Sequence, residues 1–314
     1  MVASSRASLL DRVRLCASLR VAAGTMPGML KYRLILGPIM IALLLGVLWL
    51  DQWADDAGHT RPGLVILVVL ILPGIRLASR ELAILLRAKG IATGFRVLFI
   101  SAAAGCVGVY ATLQNDLNLS GPSSMLIVSL AIGALLLGVL VQCRGQNTQG
   151  TMAAGAAAVF AFIYLGLMPG TLLAIRALPL EHAVWVLAAA LLTTKSCDIG
   201  AYFTGRAIGK TKLIPWLSPG KTWEGLAGGV LFAMLVSLAT LTPLAGLHWA
   251  YALLVGAVLA VVGQGGDLFA SMMKRDAAVK DSGSSVPGFG GVLDVFDSPL
   301  LAGPTAYWLL VWAV

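Results

Sequence analysis

Charge is scarce in this sequence. Its 314 residues include 22 Lys and Arg and 14 Asp and Glu, so only 11% are charged, against about 25% in a soluble globular domain. Hydrophobic residues make up 59% and the mean hydropathy is +0.90. No soluble fold of this length hides that much apolar surface, which excludes a water-soluble enzyme, and disordered chains are poor in apolar residues. The four cysteines, Cys16, Cys106, Cys143 and Cys197, form no CxxC pair and no metal-ligand spacing; three lie in or beside apolar runs, which favours inert buried thiols. There is no internal repeat of the kind that inverted-repeat transporters carry. Short alternating segments, the mark of a membrane β-barrel, are missing too.

What the sequence does have is long unbroken apolar runs. They predict an all-α, polytopic transmembrane helical bundle of about nine spans, near 34–50, 62–76, 96–113, 123–142, 152–174, 183–197, 225–243, 248–266 and 299–314. Pro73 interrupts the second span. The stretch from Arg76 to Arg96 is basic and amphipathic, as expected of a segment lying along a membrane surface. With the N-terminus inside, alternation places 20 of the 22 Lys and Arg on one side and only Arg61 and Arg176 on the other. Basic loops stay cytoplasmic, so the N-terminus is expected in the cytoplasm. The net charge of +8 then speaks for topology and anionic lipid, not for nucleic acid.

Three regions follow. Residues 1–33 read as a basic cytoplasmic tail, favoured over an organellar transit peptide, with no secretory signal evident. Residues 34–194 are a multi-span membrane region nearly free of ionisable groups inside the spans. Residues 195–314 carry polar segments on the cytoplasmic side and form the candidate catalytic region.

The first polar segment is Asp198-Ile-Gly-Ala-Tyr-Phe-Thr-Gly-Arg206, with an acid at the membrane boundary. Such an acid needs a partner, and Lys195 or Arg206 could serve purely as an anchor. The second is Ser218-Pro-Gly-Lys-Thr-Trp-Glu-Gly225. It is no P-loop, since Pro215 stands where GxxxxGK[ST] requires glycine. Free backbone N–H groups, a hydroxyl and Lys221 beside a helix start still suit an anion, and a plain helix cap is the alternative.

The third segment is the richest. It runs Gly266-Asp267-Leu-Phe-Ala-Ser271-Met-Met-Lys274-Arg275, then Lys280-Asp281, then Pro287-Gly-Phe-Gly-Gly291, then Asp294-Val-Phe-Asp297. Asp267, Ser271, Lys274 and Arg275 recur at helical spacing, and Asp294 and Asp297 are three apart. Carboxylate oxygens suit Mg²⁺, Lys and Arg suit phosphate, and the glycines permit close backbone approach. The residues alone imply a cytoplasm-facing, metal-assisted phosphate site at the lipid boundary. They leave kinase, nucleotidyltransferase, phosphatase and anion transporter open.

The spaced motifs resemble those of the phosphatidate cytidylyltransferases, which make CDP-diacylglycerol from CTP and phosphatidate. That family's pattern is SxxKRxxxxKD, a Gly-rich stretch, then HGGxxDRxD. The chain matches it from Ser271 to Asp297, and its GDLF, DxGAYxxGR and SPxKTWEG segments are similar as well, over about residues 195–300. Phe289 stands where the family has His and Val295 where it has Arg. The resemblance implies a metal site at Asp267 and Asp294 with Asp297 in support, holding Mg²⁺ and a second cation if there is one. It implies that Lys274, Arg275 and Lys280 bind the phosphates of CTP or phosphatidate, and that Asp281 orients Lys280 or assists the metal. Ser218, Lys221 and Thr222 would form a second phosphate-contacting loop, with Asp198 and Arg206 at the polar entrance and Ser271, Gly290 and Gly291 along the substrate. It also implies membrane lipid as surroundings, a bacterial inner-membrane location with the site facing the cytoplasm, and a homodimer. A cytidylyltransferase for another lipid phosphate, or a catalytically impaired or transporter-like homologue, are the alternatives that Phe289 and Val295 raise.

Overall fold

The computed structural model describes residues 27–114, 123–144, 148–286 and 288–313. The fold is all-α but for one small hairpin. The helices are α1 (Pro27–Asp56), α2 (Leu64–Val69), α3 (Arg76–Ala88), α4 (Phe95–Leu113), α5 (Ser123–Cys143), α6 (Thr151–Ala161), α7 (Met168–Arg176), α8 (Ala183–Ile208), α9 (Trp223–Ala245), α10 (Trp249–Asp276) and α11 (Val292–Val311). Wider π-helical turns, Leu70–Ile75 and Phe162–Leu167, join α2 to α3 and α6 to α7. Strands β1 (Lys212–Ile214) and β2 (Ser218–Thr222) pair antiparallel between α8 and α9. The expected basic tail lies largely outside the described residues, and α1 already begins at Pro27. The chain divides into two compact units, Met1–Ala42 and Leu43–Val314. The second holds every side chain discussed below.

Among the described residues, seven helices are long and apolar enough to cross a membrane. The expectation of about nine is therefore approximate. The two remaining predicted spans, 62–76 and 299–314, are helical, but their helices run on into Arg76, Arg80 and Glu81 or begin with Asp294 and Asp297. Pro73 sits in the π turn Leu70–Ile75, where the wider turn accommodates its missing N–H. The sixth and eighth spans are longer than the apolar runs suggest. Helix α8 continues for 26 residues and α10 for 28, so Asp198 and Asp267 stand within helices and not at their ends. The division at 194/195 marks a change of charge inside one continuous helix.

Close packing around small residues builds the bundle. A Cβ on Gly105 of α4 would stand 2.6 Å from the carbonyl oxygen of Phe162 and 3.0 Å from Cα of Gly166. The two helices thus touch backbone to backbone, as small residues permit in membranes. Gly229 of α9 meets the carbonyl of Cys197 on α8, and Gly256 of α10 meets Met234 and Ala233 on α9 in the same way. The segment Thr151–Arg176 is the most enclosed span, two thirds of it buried, whereas α5 is 11% buried and its apolar side chains face outward.

One end of the bundle is closed by charge. Asp51 is fully buried; its carboxylate accepts the N–H groups of Gly63 and Val65 at the start of α2 and Nε of Arg176 at 2.9 Å. Arg176 also reaches Asp55 at 2.7 Å. One of the two basic residues assigned to the outer side is thus neutralised by acids from the same side. We predict that Arg176→Met lowers the unfolding free energy in detergent by on the order of 3 kcal/mol, because it strands a buried carboxylate. An unchanged denaturation midpoint would contradict this.

Candidate active site

The hairpin β1–β2 delivers Lys221 to Asp267. Glu224, in the first turn of α9, accepts the backbone N–H groups of Lys210 at 3.1 Å and Thr211 at 3.0 Å, tying the hairpin to its helix. Thr222 caps α9, its Oγ1 accepting the N–H of Gly225 at 3.1 Å. The hydroxyl expected to contact phosphate thus accepts from the helix start and keeps its own O–H to donate. Lys221, held one residue before the cap, forms an ion pair with Asp267 of α10.

A second pair lies beside it. Gly266 brings α10 against α11, since a Cβ there would meet the carbonyl of Asp297. The neighbouring Asp267 carboxyl is consequently close enough to Asp297 for each to act on the other's charge. Lys195 of α8 stands 3.4 Å from Asp297 and 3.9 Å from Asp198. Three helices and strand β2 thus contribute Asp198 and Lys195, Asp267, Asp297 and Lys221 to one polar cluster. Burial pushes the Asp297 carboxyl above the ordinary carboxylate range, and Asp267 adds to that against the pull of Lys195.

Asp294 belongs to a different network. Its Oδ1 accepts from Lys274 at 2.6 Å, and its Oδ2 accepts the N–H of Gly291 at 2.8 Å and that of Ser282 at 3.0 Å, with the Ser282 hydroxyl oxygen also 3.0 Å away. Burial raises the pKa of this carboxyl, but the hydrogen bonds from Lys274, Gly291 and Ser282 outweigh it and hold the group below the ordinary range. Gly290 has φ +97°, and a side chain there would run into Asp294. Gly290 and Gly291 thus face carboxylates of the protein itself, Asp294 and Glu81, where the resemblance had them along the substrate. Asp297 thus joins Asp267 directly, and Asp294, which the resemblance places with Asp267, is linked to it through Lys274, whose charge acts on both.

The remaining expected residues are spread around these networks. A cavity of about 440 Å³ opens beside the first cluster and is lined by Asp198, Tyr202, Arg206, Lys221, Thr222 and Gln264, among others. That volume falls within the range of small-molecule sites. Arg206 donates to the Tyr202 hydroxyl at 3.2 Å. Ser218 opens β2 and Ser271 is half-buried one turn beyond Asp267. Arg275, Lys280 and Asp281 are exposed, and among the described residues none of the three forms an ion pair with another side chain.

Three residues escaped the sequence reading as parts of a site. Lys195 was weighed only as an anchor for Asp198. Gln264, 6% exposed, has an unpartnered amide nitrogen and its residue lines the cavity. Glu81 of α3 is 2% exposed and binds the loop before α11. Its signal was present: it is the only acid between Asp56 and Asp116.

Among the described residues, no three His, Cys, Asp or Glu side chains converge as a metal cage. Mg²⁺ does not need one, for it is commonly held by one or two carboxylates with water and substrate phosphates. The adjacent oxygens of Asp267 and Asp297 fit that mode.

Residues 31–313 match the cytidylyltransferase family, and the chain belongs to it. It is 43% identical over 153 residues to the phosphatidate cytidylyltransferase of Bacillus subtilis, covering 48% of this chain and 56% of that protein. It is 40% identical over 134 residues to the phosphatidate cytidylyltransferase of Haemophilus influenzae, 39% of this chain and 44% of that one. To the uncharacterized protein YnbB of Escherichia coli it is 40% identical over 145 residues, 42% of this chain and 49% of the other. The matched stretches span about half the length of these curated relatives.

The two networks differ in what they support. Asp294→Ala orphans the donors of Gly291 and Ser282, each at a cost of about 1–3 kcal/mol. We predict a melting temperature in detergent several degrees lower for Asp294→Ala, and one little changed for Asp267→Ala, which relieves the crowding of Asp297. The reverse order would contradict the assignment.

Proposed function

We propose that the protein is a CTP:phosphatidate cytidylyltransferase, forming CDP-diacylglycerol and pyrophosphate at the cytoplasmic face of a bacterial inner membrane. The observation that carries this reading is the meeting of Asp267 and Asp297 with Lys195 and Lys221 at one end of a membrane bundle, in a chain of the cytidylyltransferase family. Two carboxylates and two lysines in one cluster, with Lys221 on the wall of the adjoining cavity, are what a reaction between two phosphate anions needs.

A phosphatidate oxygen attacks the α-phosphorus of CTP; the new P–O bond forms as the bond to the β-phosphate bridging oxygen breaks, and pyrophosphate departs in line. The nucleophile is an anion at neutral pH, so no strong base is required. This agrees with a site built without histidine, since His59, His182 and His248 all stand elsewhere in the chain. The barrier is repulsion between anions, which positioned cations lower. Lys221 and Lys195, now paired with Asp267 and Asp297, would turn to the phosphates when substrate arrives. Arg206, on the cavity wall, would meet the headgroup or the nucleotide from the other side. A magnesium ion held by Asp267 and Asp297 would supply charge neutralisation for the triphosphate and polarise the α-phosphoryl group. Membrane embedding lets the acyl chains of the substrate stay in lipid while the headgroup enters the cavity.

Phe289 and Val295 favour a second reading in which the chemistry is kept and the acceptor is a different lipid phosphate. Phe289 stands exposed in the turn before α11, where a histidine would bring a polar ring.

Purified protein in detergent, given Mg²⁺, CTP labelled at the α-phosphate and phosphatidate, is expected to yield labelled CDP-diacylglycerol and equimolar pyrophosphate. Asp267→Ala and Asp297→Ala are each expected to lower kcat by about a thousandfold, and Lys221→Met by about a hundredfold. Product only with another lipid phosphate would select the second reading. No product with any lipid phosphate, or full turnover by Asp267→Ala, would overturn both.

A further inference from the structure

The mechanism above leaves the buried acids Asp51 and Glu81 unused, and the second of them reaches the loop beside the site. Glu81 sits on α3, in the N-terminal half of the chain, far in sequence from every motif of the site. Its side chain accepts four hydrogen bonds, all from the loop before α11 and the first turn of that helix. Oε1 takes the Ser285 hydroxyl at 2.7 Å and the N–H of Val292 at 2.8 Å. Oε2 takes the Ser282 hydroxyl at 2.9 Å and the N–H of Leu293 at 2.9 Å. A carboxylate at the exposed N–H groups of a helix start satisfies donors that have no partner within the helix and faces the positive end of its dipole.

The loop is shaped to admit it. A Cβ on Gly291 would collide with Glu81 Oε2 and the Ser282 hydroxyl, and one on Gly283 would stand 3.0 Å from Oε1. Glycine at these positions makes room for a carboxylate of the same protein. The Ser282 hydroxyl lies within hydrogen-bonding distance of both Glu81 and Asp294, so a continuous polar chain runs from α3 through Ser282 and Asp294 to Lys274 on α10. Asp297 lies one turn further along the helix that Glu81 caps. Rotation or fraying of that turn would carry Asp297 away from Asp267.

We propose that Glu81 is a positioning residue: it latches the start of α11 and thereby fixes Asp297 against Asp267 in the geometry that holds a divalent cation with the nucleotide. The inference rests on the proposed cation site. It adds that the N-terminal half of the chain takes part in the site through one carboxylate and does more than fill the membrane.

Glu81→Gln is the sharpest probe, since it keeps the shape and turns one acceptor into a donor facing two donors. Ser282→Ala is the milder companion, removing the bridging hydroxyl without touching α3. Two readouts apply: hydrogen exchange of the amides at 292 and 293, and the affinity for Mn²⁺ in the presence of CTP, followed by electron paramagnetic resonance. Faster exchange at both amides and Mn²⁺ binding weakened about tenfold, with the melting temperature within a few degrees of wild type, are expected for Glu81→Gln, with Ser282→Ala moving the same way by less. Unchanged exchange, or faster exchange with unchanged Mn²⁺ affinity, would overturn the proposal. A purely structural residue would lower the melting temperature and leave the Mn²⁺ affinity of the folded fraction intact. Absence of Mn²⁺ binding in the wild type would instead sink the cation site itself, and exchange in the variants would still decide whether the latch exists.

Discussion

Carboxylates set against lysines, where the ends of several helices meet, are the constraint around which this protein is arranged. Lys221 faces Asp267 and Lys195 faces Asp297 and Asp198, while Lys274 faces Asp294. In an apolar bundle an unpaired charge is costly, so each acid needs its cation close by. The same pairing makes a site ready for an anionic substrate. A lysine that neutralises a carboxylate can move to a phosphate when one enters, provided another cation arrives to neutralise the carboxylate. Divalent metal and nucleotide arriving together meet that requirement, and the proposed chemistry follows from it.

The bundle keeps two charged regions apart. Asp51, Asp55 and Arg176 gather where α1 and α7 end and α2 begins. The site gathers where α9 and α11 begin, along the second halves of α8 and α10. Helix α8 starts seven residues after Arg176, and at about 1.5 Å per residue Asp198 lies roughly 22 Å along it. The first cluster sets one arginine against two carboxylates and is largely buried, which suits a structural clamp. The site cluster borders a cavity. Glu81 links the two halves of the chain at the site's end, so the multi-span N-terminal region serves the site through a named contact.

Much of this was legible in the sequence because the bilayer imposes a strong rule. Apolar runs must be helices, and charges that survive among them must have a reason. Asp198, Lys221, Asp267, Asp294 and Asp297 were all found that way. The pairing was not legible. Spacing puts Asp294 and Asp297 on one helix face, but only the contact at Gly266 shows that Asp297 reaches Asp267. The local loop, with Ser282 and Gly291, claims Asp294. Helix lengths were misjudged where polar residues suggested an end, because α8 and α10 continue as helices past the apolar run. Glu81 was hidden inside a basic amphipathic stretch read as a surface segment, and a partner some two hundred residues away leaves no local trace. Thr222, read as a phosphate ligand, also caps a helix; the two roles use the same hydroxyl next to the same helix start.

The central claim is that Asp267 and Asp297 together hold the divalent cation of a nucleotidyl transfer, with Asp294 serving the loop. Exchange of metal preference tests it most directly: each aspartate in turn is replaced by cysteine, and turnover of CTP and phosphatidate is measured with Mg²⁺ and then with thiophilic Cd²⁺. The account predicts that Asp267→Cys and Asp297→Cys lose Mg²⁺-supported turnover and regain it with Cd²⁺, while Asp294→Cys shows no such exchange. Restoration by Cd²⁺ at Asp294 and at neither of the other two would contradict it.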